Sequence, residues 1–196
     1  MKRESQIAIA IGAFAAGRWL HSDREPPVGA TDGELVAAVR TGAGPSTTWD
    51  DNHYRAAMSA VLAHNAPAGA APRLARAMVA HWITETGRSS EYNYNVANMH
   101  RGSWTGPVYV LPGDRENTVY QRAYETLQRG ADDYVDAVTH GYATAVGDLA
   151  AGSIDGAGYY QRVRAAGWTE RPASSADVDT YRAILRRLEQ RFPDAA

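Results

Sequence analysis

The sequence predicts a mainly helical domain of the α+β class, with one small β-hairpin and a helical extension at its N-terminus. Two observations support this prediction. Along most of the chain, apolar residues recur at the three- and four-residue spacing of an amphipathic helix. Residues 108–124 instead show the alternating pattern of two strands on either side of a turn rich in Pro, Gly, Asp and Asn.

At 196 residues, the chain has the length of one domain that carries an appendage. Residues 1–48 are predicted to form an N-terminal extension, and residues 49–196 are predicted to form the main domain. The extension has a positively charged start followed by the apolar or small residues 7–17, which is typical of an export signal or a weak membrane anchor. An Ala-rich helix that packs on the domain is an equally open interpretation of the same residues.

Capping and stop residues predict where the helices begin and end. Thr31 and Glu34 have the spacing of a capping box, which predicts a short helix over residues 36–40. Asp50 or Asp51 is predicted to cap the next helix. The inward face of that helix is predicted to consist of Tyr54, Met58, Val61 and Leu62. Further helices are predicted over residues 72–87, 126–139, 142–149, 155–166 and 175–192.

Composition and charge exclude several classes of function. The formal net charge is -2 and charged residues make up 21% of the chain, so a nucleic acid or an anionic membrane is not expected as a partner. The chain has no cysteine, which excludes disulfides and thiol catalysis. Its six histidines show neither an H-E-x-x-H nor a Cys-paired spacing, so neither a metal site nor a cofactor is predicted.

Glu85 is the main candidate for a catalytic group. It lies in the last turn of the predicted helix 72–87, on the apolar stripe that carries Met78 and Trp82. Burial there disfavours the charged carboxylate and is expected to raise its pKa, as a general acid requires. A side chain that simply points into water is the open alternative. His81, one turn earlier, is predicted to be a packed or hydrogen-bonded neighbour that could tune this acid.

Three short sequence motifs follow one another along the chain, and the first begins at Glu85. Residues 85–90, 92–100 and 102–108 resemble the lines E-[ST]-G-x-G-x-S, Y-N-x-G-N-[IL]-K and G-x-W-x-G-P of the bacterial and phage N-acetylglucosaminidases of the lysozyme-like superfamily. The resemblance covers residues 50–192. It implies a lysozyme-like helical domain with one small β-hairpin.

The resemblance implies that Glu85 is the general acid and that a second carboxylate lies on the hairpin beyond the third motif. Counting on from Pro107 leads to Glu116 or Asp114, of which Glu116 is favoured. A tip rich in Asp, Glu and Gly is also typical of a solvent-exposed turn, so both interpretations stay open. Glu91, in a loop that is expected to be exposed, is a weaker candidate.

Five residues are predicted to bind the sugar substrate. Tyr94 and Asn95 close the loop after the acid and could contact an acetamido group, although capping of loop backbone is the commoner role of Asn. Trp104 could form a sugar platform or anchor the base of the hairpin. Trp168 replaces the Tyr of a late family motif, Y-x-x-x-L-x-x-A-G-Y-x-T, and Tyr181 is predicted to supply the missing hydroxyl.

The resemblance thus implies a peptidoglycan hydrolase that cleaves β-1,4 bonds of the GlcNAc–MurNAc glycan by acid catalysis. Its partners would be glycan strands, and its location would be the cell envelope or a virion, with weak membrane association through the N-terminus. The alternative is a lysozyme-like domain of a virion or envelope-spanning secretion apparatus that holds glycan without cutting it. Arg88, Ser89 and Ala97, which depart from the family pattern, favour this alternative.

Overall fold

A computed structural model of the protein describes residues 34–42, 47–87, 91–112, 120–169 and 171–193. These residues form six α-helices and one two-stranded antiparallel sheet, which confirms the predicted mainly helical class. The helices are α1 (Thr47–Ala63), α2 (Ala71–Thr86), α3 (Leu127–Gly141), α4 (Ala143–Ala151), α5 (Gly156–Val163) and α6 (Ser175–Arg191). The strands are β1 (Val108–Val110) and β2 (Tyr120–Arg122). The lysozyme-like topology stays a prediction.

Helix α2 lies at the centre of the domain and contacts α1, α4, α5 and α6. Leu74, Met78 and Trp82 are buried along it, and buried alanines between them let the neighbouring helices approach closely. The helix ends where Gly87 adopts a φ of 57° and donates its backbone N–H to the carbonyl of Ile83. The predicted helix over residues 72–87 is therefore confirmed.

Helix α1 packs on α2, as predicted, but begins earlier than expected, at Thr47. Val61 is buried as predicted, whereas Leu62 is 47% exposed. The close contact with α2 and α3 is made instead by the small side chains of Ala56, Ala57 and Ala60. Because their side chains are small, these residues allow α1 to lie close to both neighbouring helices.

The predicted β-hairpin is confirmed for its two strands, which pair with Tyr109 opposite Gln121. Residues 113–119, which join the strands, lie outside the described ranges. A stretch of the preceding loop pairs with β2, since the Arg101 N–H donates to the Tyr120 carbonyl at 2.8 Å. This backbone hydrogen bond joins the hairpin to the loop that follows Glu85.

Residues 34–42 are extended, so the predicted helix over residues 36–40 is wrong. Leu35 pairs with Val108 of β1 in parallel, and the Val36 N–H donates to the Val108 carbonyl at 2.8 Å. Farther along, the Thr41 N–H donates to the Glu91 carbonyl at 3.0 Å. Backbone partners at the edge of β1 and in the 91–93 loop override the local capping signal.

Residues 1–33 and 43–46 of the predicted extension lie outside the described part of the chain. The predicted signal, anchor or packing helix falls on these residues. Within the described ranges, no helix combines the length and the apolar character that a membrane span requires. The described part of the extension, residues 34–42, adds an extended segment to the hairpin and not a helix.

One turn of π-helix, Arg164–Trp168, follows α5 without a break. Such turns insert an extra residue into a helix and often mark functional sites. Within this turn, Gly167 has a φ of 102°, a conformation that other residues rarely adopt. The turn brings Arg164 into the interior and Trp168 against His81 of α2.

Candidate active site

Glu85 lies in the last turn of α2 with its side chain 13% exposed. Its carboxyl oxygen Oε1 accepts a hydrogen bond from Nη1 of Arg164 at 3.0 Å. Nε2 of His81 lies 3.4 Å from the same oxygen. The backbone carbonyl of Glu85 accepts from the side-chain amide of Asn98 at 3.0 Å, which ties the following loop to the end of the helix. The carboxyl thus contacts buried groups, and its side chain stays only slightly exposed to solvent.

The pKa of Glu85 is lower than its ordinary value of 4.5, so the predicted rise is wrong. Burial raises this pKa, but the contacts with His81 and Arg164 lower it by more. The sequence shows the neighbours of Glu85 on its own helix, including His81, whose contacts lower the pKa most. It does not show Arg164, which is 79 positions away in the chain. In the free protein at neutral pH, Glu85 is therefore a carboxylate.

His81 links Glu85 to two buried tyrosines. Its Nδ1 lies 2.6 Å from the Tyr134 hydroxyl, which in turn lies 3.1 Å from the Tyr159 hydroxyl. Burial raises the pKa of both tyrosines, so both hydroxyls keep their protons. The His81 ring thus bridges the two groups, with Nδ1 facing the Tyr134 hydroxyl and Nε2 facing the Glu85 carboxylate.

The contact between His81 and Glu85 is longer than a well-formed hydrogen bond. The separation of 3.4 Å is long, and Nε2 has no well-aligned hydrogen-bond partner among the described residues. His81 is thus poised beside the acid, as the sequence predicted.

Trp168 is one predicted sugar-binding residue that the structure brings to this cluster. Its ring lies 5.0 Å from that of His81 and 5.3 Å from that of Tyr134. On the other side, the guanidinium of Arg164 lies 5.8 Å from the centre of the Tyr160 ring. Half-buried Trp168 therefore packs on the His81 ring, and His81 in turn contacts the Glu85 carboxyl.

Asn95 and Tyr181 are buried, and both have their polar atoms occupied within the protein. The Asn95 amide donates to the Met99 carbonyl at 2.9 Å and accepts from the Met99 N–H at 2.7 Å. The Tyr181 hydroxyl donates to the Ala77 carbonyl at 2.9 Å, and its ring stacks on Tyr160 at 4.6 Å. For Asn95 this placement favours the alternative, the capping of loop backbone.

Tyr94 and Trp104 lie in the segment between Glu85 and the hairpin. Tyr94 has a φ of 53° and donates its backbone N–H to the Thr41 hydroxyl at 2.9 Å, with its side chain half-buried. The Trp104 indole donates to the Pro107 carbonyl at 2.9 Å, and its ring lies 5.3 Å from that of Tyr124. The contacts of Trp104 are those of an anchor at the base of the hairpin.

The two hairpin candidates for the second carboxylate, Glu116 and Asp114, lie outside the described residues, so their role stays a prediction. Glu91 is fully buried, and the predicted exposed position is wrong. Its carboxylate lies 2.7 Å from Nε2 of His53 and accepts from the Thr41 hydroxyl at 3.1 Å. Glu91 is thereby held in a buried pair that ties residues 34–42 to α1.

Two shallow hollows on the described surface lie away from Glu85. One of about 240 Å³ is formed by mostly apolar residues of α1, α2, α3 and α4, and one of about 200 Å³ adjoins Tyr142 and Ala166. Neither is lined by Glu85. Within the described ranges, no cluster of three or more His, Asp and Glu side chains is arranged to hold a metal ion.

Arg164, Tyr134 and Tyr159 lie at the site without having been predicted there from the sequence. Arg164 stands four residues after Tyr160, on the face of a helix that is otherwise apolar. An arginine on a buried helix face was the available signal, since such a residue requires an acidic partner. The sequence offers no comparable signal for the two tyrosines.

Comparison of the chain with models of known protein families, with curated proteins and with solved structures gave no match. The function proposed below rests on the sequence motifs and on the cluster around Glu85.

Proposed function

We propose that the protein is a peptidoglycan hydrolase of the lysozyme-like type, in which Glu85 protonates the leaving oxygen of a β-1,4 bond in the GlcNAc–MurNAc glycan. One observation carries the proposal: the carboxyl of Glu85 lies in the last turn of the central helix, and its side chain is largely buried but 13% exposed. An Asn-rich loop and an antiparallel hairpin follow it, in the order that the resembling family shows.

The chemistry requires two acidic groups, one to donate a proton and one to stabilise positive charge or activate water. Glu116 or Asp114 is the proposed second group. Trp168 supplies the proposed apolar face for a sugar ring, because it stands beside the Glu85 cluster. The proposed cleavage uses only side chains of this protein and needs no cofactor.

Glu85 must take up a proton before each cleavage, because it is ionised in the free protein. The fraction of protonated Glu85 grows as the pH falls toward its lowered pKa. Activity is therefore expected to increase below neutral pH, until the fold itself is lost. Measurement of kcat/KM against pH checks this expectation.

The test is the release of reducing ends from purified peptidoglycan by the Glu85→Gln variant. Loss of a general acid is expected to lower the rate by about 10²- to 10⁴-fold. Glu189→Gln is the matched control, since it removes an exposed carboxylate of α6 and should leave the rate unchanged. A folded Glu85→Gln variant that releases reducing ends at the wild-type rate would refute the proposal.

A glycan-binding module that does not cut is the second candidate. The ion pair between Glu85 and Arg164 favours it, because a paired carboxylate also serves a purely structural role. Such a module, in a virion or an envelope-spanning apparatus, would bind purified cell walls and release no reducing ends. Sedimentation with cell walls, measured beside reducing-end release, distinguishes the two candidates.

A further inference from the structure

We infer that Arg164 recognises a carboxylate of the muramyl residue or of its peptide stem. When the Arg164 side chain moves from Glu85 to that carboxylate, Glu85 can become protonated. This inference rests on the proposed function. It assigns Arg164 as a specificity-determining and positioning residue, and it makes an anionic sugar the substrate class of the site.

Arg164 is buried but does not use all of its hydrogen-bonding capacity. It is 8% exposed, and its Nη1 donates to Oε1 of Glu85 at 3.0 Å. Its Nε has no hydrogen-bond partner among the described residues. A buried donor without an acceptor is unfavourable, so a ligand that supplies an acceptor is favoured.

The chemistry of the guanidinium suits a carboxylate ligand. Arginine presents N–H groups in a planar fork, which can bind both oxygens of a carboxylate at once. The described contact with Glu85 joins Nη1 to Oε1, and Nε is not part of it. A ligand carboxylate that engages Nε together with a terminal nitrogen would use the fork geometry that Glu85 leaves free.

The groups that face Glu85 determine how it responds when Arg164 leaves. They are His81 from its own helix, Tyr134 from α3, Tyr160 from α5 and Arg164 from the π-helical turn. Burial raises the pKa of Tyr134 well above its ordinary value and that of Tyr160 to about 12, so both remain neutral. Arg164 is therefore the permanent cation beside Glu85.

When a ligand carboxylate pairs with Arg164, the Arg164 contact no longer opposes the effect of burial on the Glu85 pKa. Burial is the largest single influence on the Glu85 pKa, and it favours the protonated form. The Glu85 pKa would then rise toward the value set by burial and the remaining contact with His81, so a larger fraction of Glu85 would be protonated when an anionic sugar is bound. A neutral polymer of N-acetylglucosamine would leave Arg164 on Glu85 and keep the acid ionised.

The test follows the Glu85 carboxyl directly, by carbon-13 NMR titration of the full-length protein labelled at glutamate. Three ligands are compared: N-acetylglucosamine, which is neutral; N-acetylmuramic acid, which carries a lactyl carboxylate; and muramyl dipeptide, whose free carboxylate lies on the stem. At least one of the two anionic ligands should raise the Glu85 pKa, and N-acetylglucosamine should not. The ligand that does so identifies which carboxylate Arg164 binds.

Variants of Arg164 provide the second arm. In Arg164→Gln, the Glu85 pKa should be raised without ligand, and the anionic sugar should bind about tenfold more weakly, as expected for loss of a charge-assisted hydrogen bond. Arg164→Lys retains the charge and should keep the pKa low. Arg162→Gln removes an exposed arginine of α5 and should change neither quantity.

The inference is overturned if neither anionic ligand raises the Glu85 pKa, or if Arg164→Gln binds them as tightly as the wild type. The ligand titration uses the wild-type protein, so it decides the question even where a variant fails to fold. Failure of the proposed function is seen separately: there, Glu85→Gln releases reducing ends like the wild type. Where Glu85→Gln is inactive and the titrations show no ligand effect, the Arg164 inference alone fails.

Discussion

Breaking the ion pair between Glu85 and Arg164 is expected to destabilise the fold measurably. Removal of one partner from a fully buried pair costs about 3–5 kcal/mol. The side chains of Glu85 and Arg164 are 13% and 9% exposed, and Glu85 still contacts His81 when Arg164 is replaced. For Glu85→Gln and for Arg164→Gln we therefore expect a loss of about 2 kcal/mol each in the free energy of unfolding.

Urea unfolding of the two single variants and the double variant measures this interaction. The double variant should lose about 1 kcal/mol less than the sum of the single variants, since its remaining groups leave no charge unpaired. The dependence of the free energy on urea concentration should stay unchanged, because the surface exposed on unfolding is the same. Single variants as stable as the wild type, or exactly additive losses, would refute this reasoning.

The sign of the pH dependence provides an internal check. The folded pKa of Glu85 lies below the ordinary value of 4.5, so its ionisation stabilises the fold above that pH. This stabilisation is lost as the pH falls through the folded pKa. The stability difference between the wild type and Glu85→Gln should therefore shrink in acid, and a difference that stays constant would contradict the assigned direction.

Other contacts give further predictions. Gly130→Ala should lose about 1–3 kcal/mol of stability in urea unfolding, because the new Cβ would lie 2.1 Å from the carbonyl oxygen of Tyr94, and an unchanged midpoint would argue against that close contact. Glu91→Gln should cost about 1–3 kcal/mol by the same measurement, since it disturbs the buried contacts of the Glu91 side chain with His53 and Thr41, and an unchanged midpoint would argue against those contacts. Tyr181→Phe should lower stability by about 1 kcal/mol but leave reducing-end release unchanged, whereas a strong fall in release would give this hydroxyl a role in the reaction.

The helices and the hairpin strands could be predicted because their signals are local. Gly87 ends α2 at the expected residue, and the apolar spacing along α2 matches its burial on several sides. The alternation at residues 108–124 predicts β1 and β2 for the same reason. Each of these signals lies within about ten consecutive residues, the range over which periodicity is informative.

Features that depend on distant contacts could not be predicted in this way. The helix expected at residues 36–40 is an extended segment, because its partners lie at Val108 and Glu91. The pKa of Glu85 changes in the opposite direction to the expectation, because the contacts with His81 and with Arg164 together outweigh burial, and Arg164 reaches Glu85 from a turn far along the chain. Local sequence shows which groups are apolar, whereas the fold decides which charges meet.

Mass spectrometry of purified peptidoglycan digested by the wild type and by Glu85→Gln tests the central claim most directly. The claim is that the Glu85 carboxyl protonates a glycosidic oxygen. It predicts glycan fragments with new reducing ends from the wild-type digest and none above background from the variant, whose unfolding midpoint confirms that it is folded. Identical fragments from both proteins, or no fragments from the wild type, would contradict it.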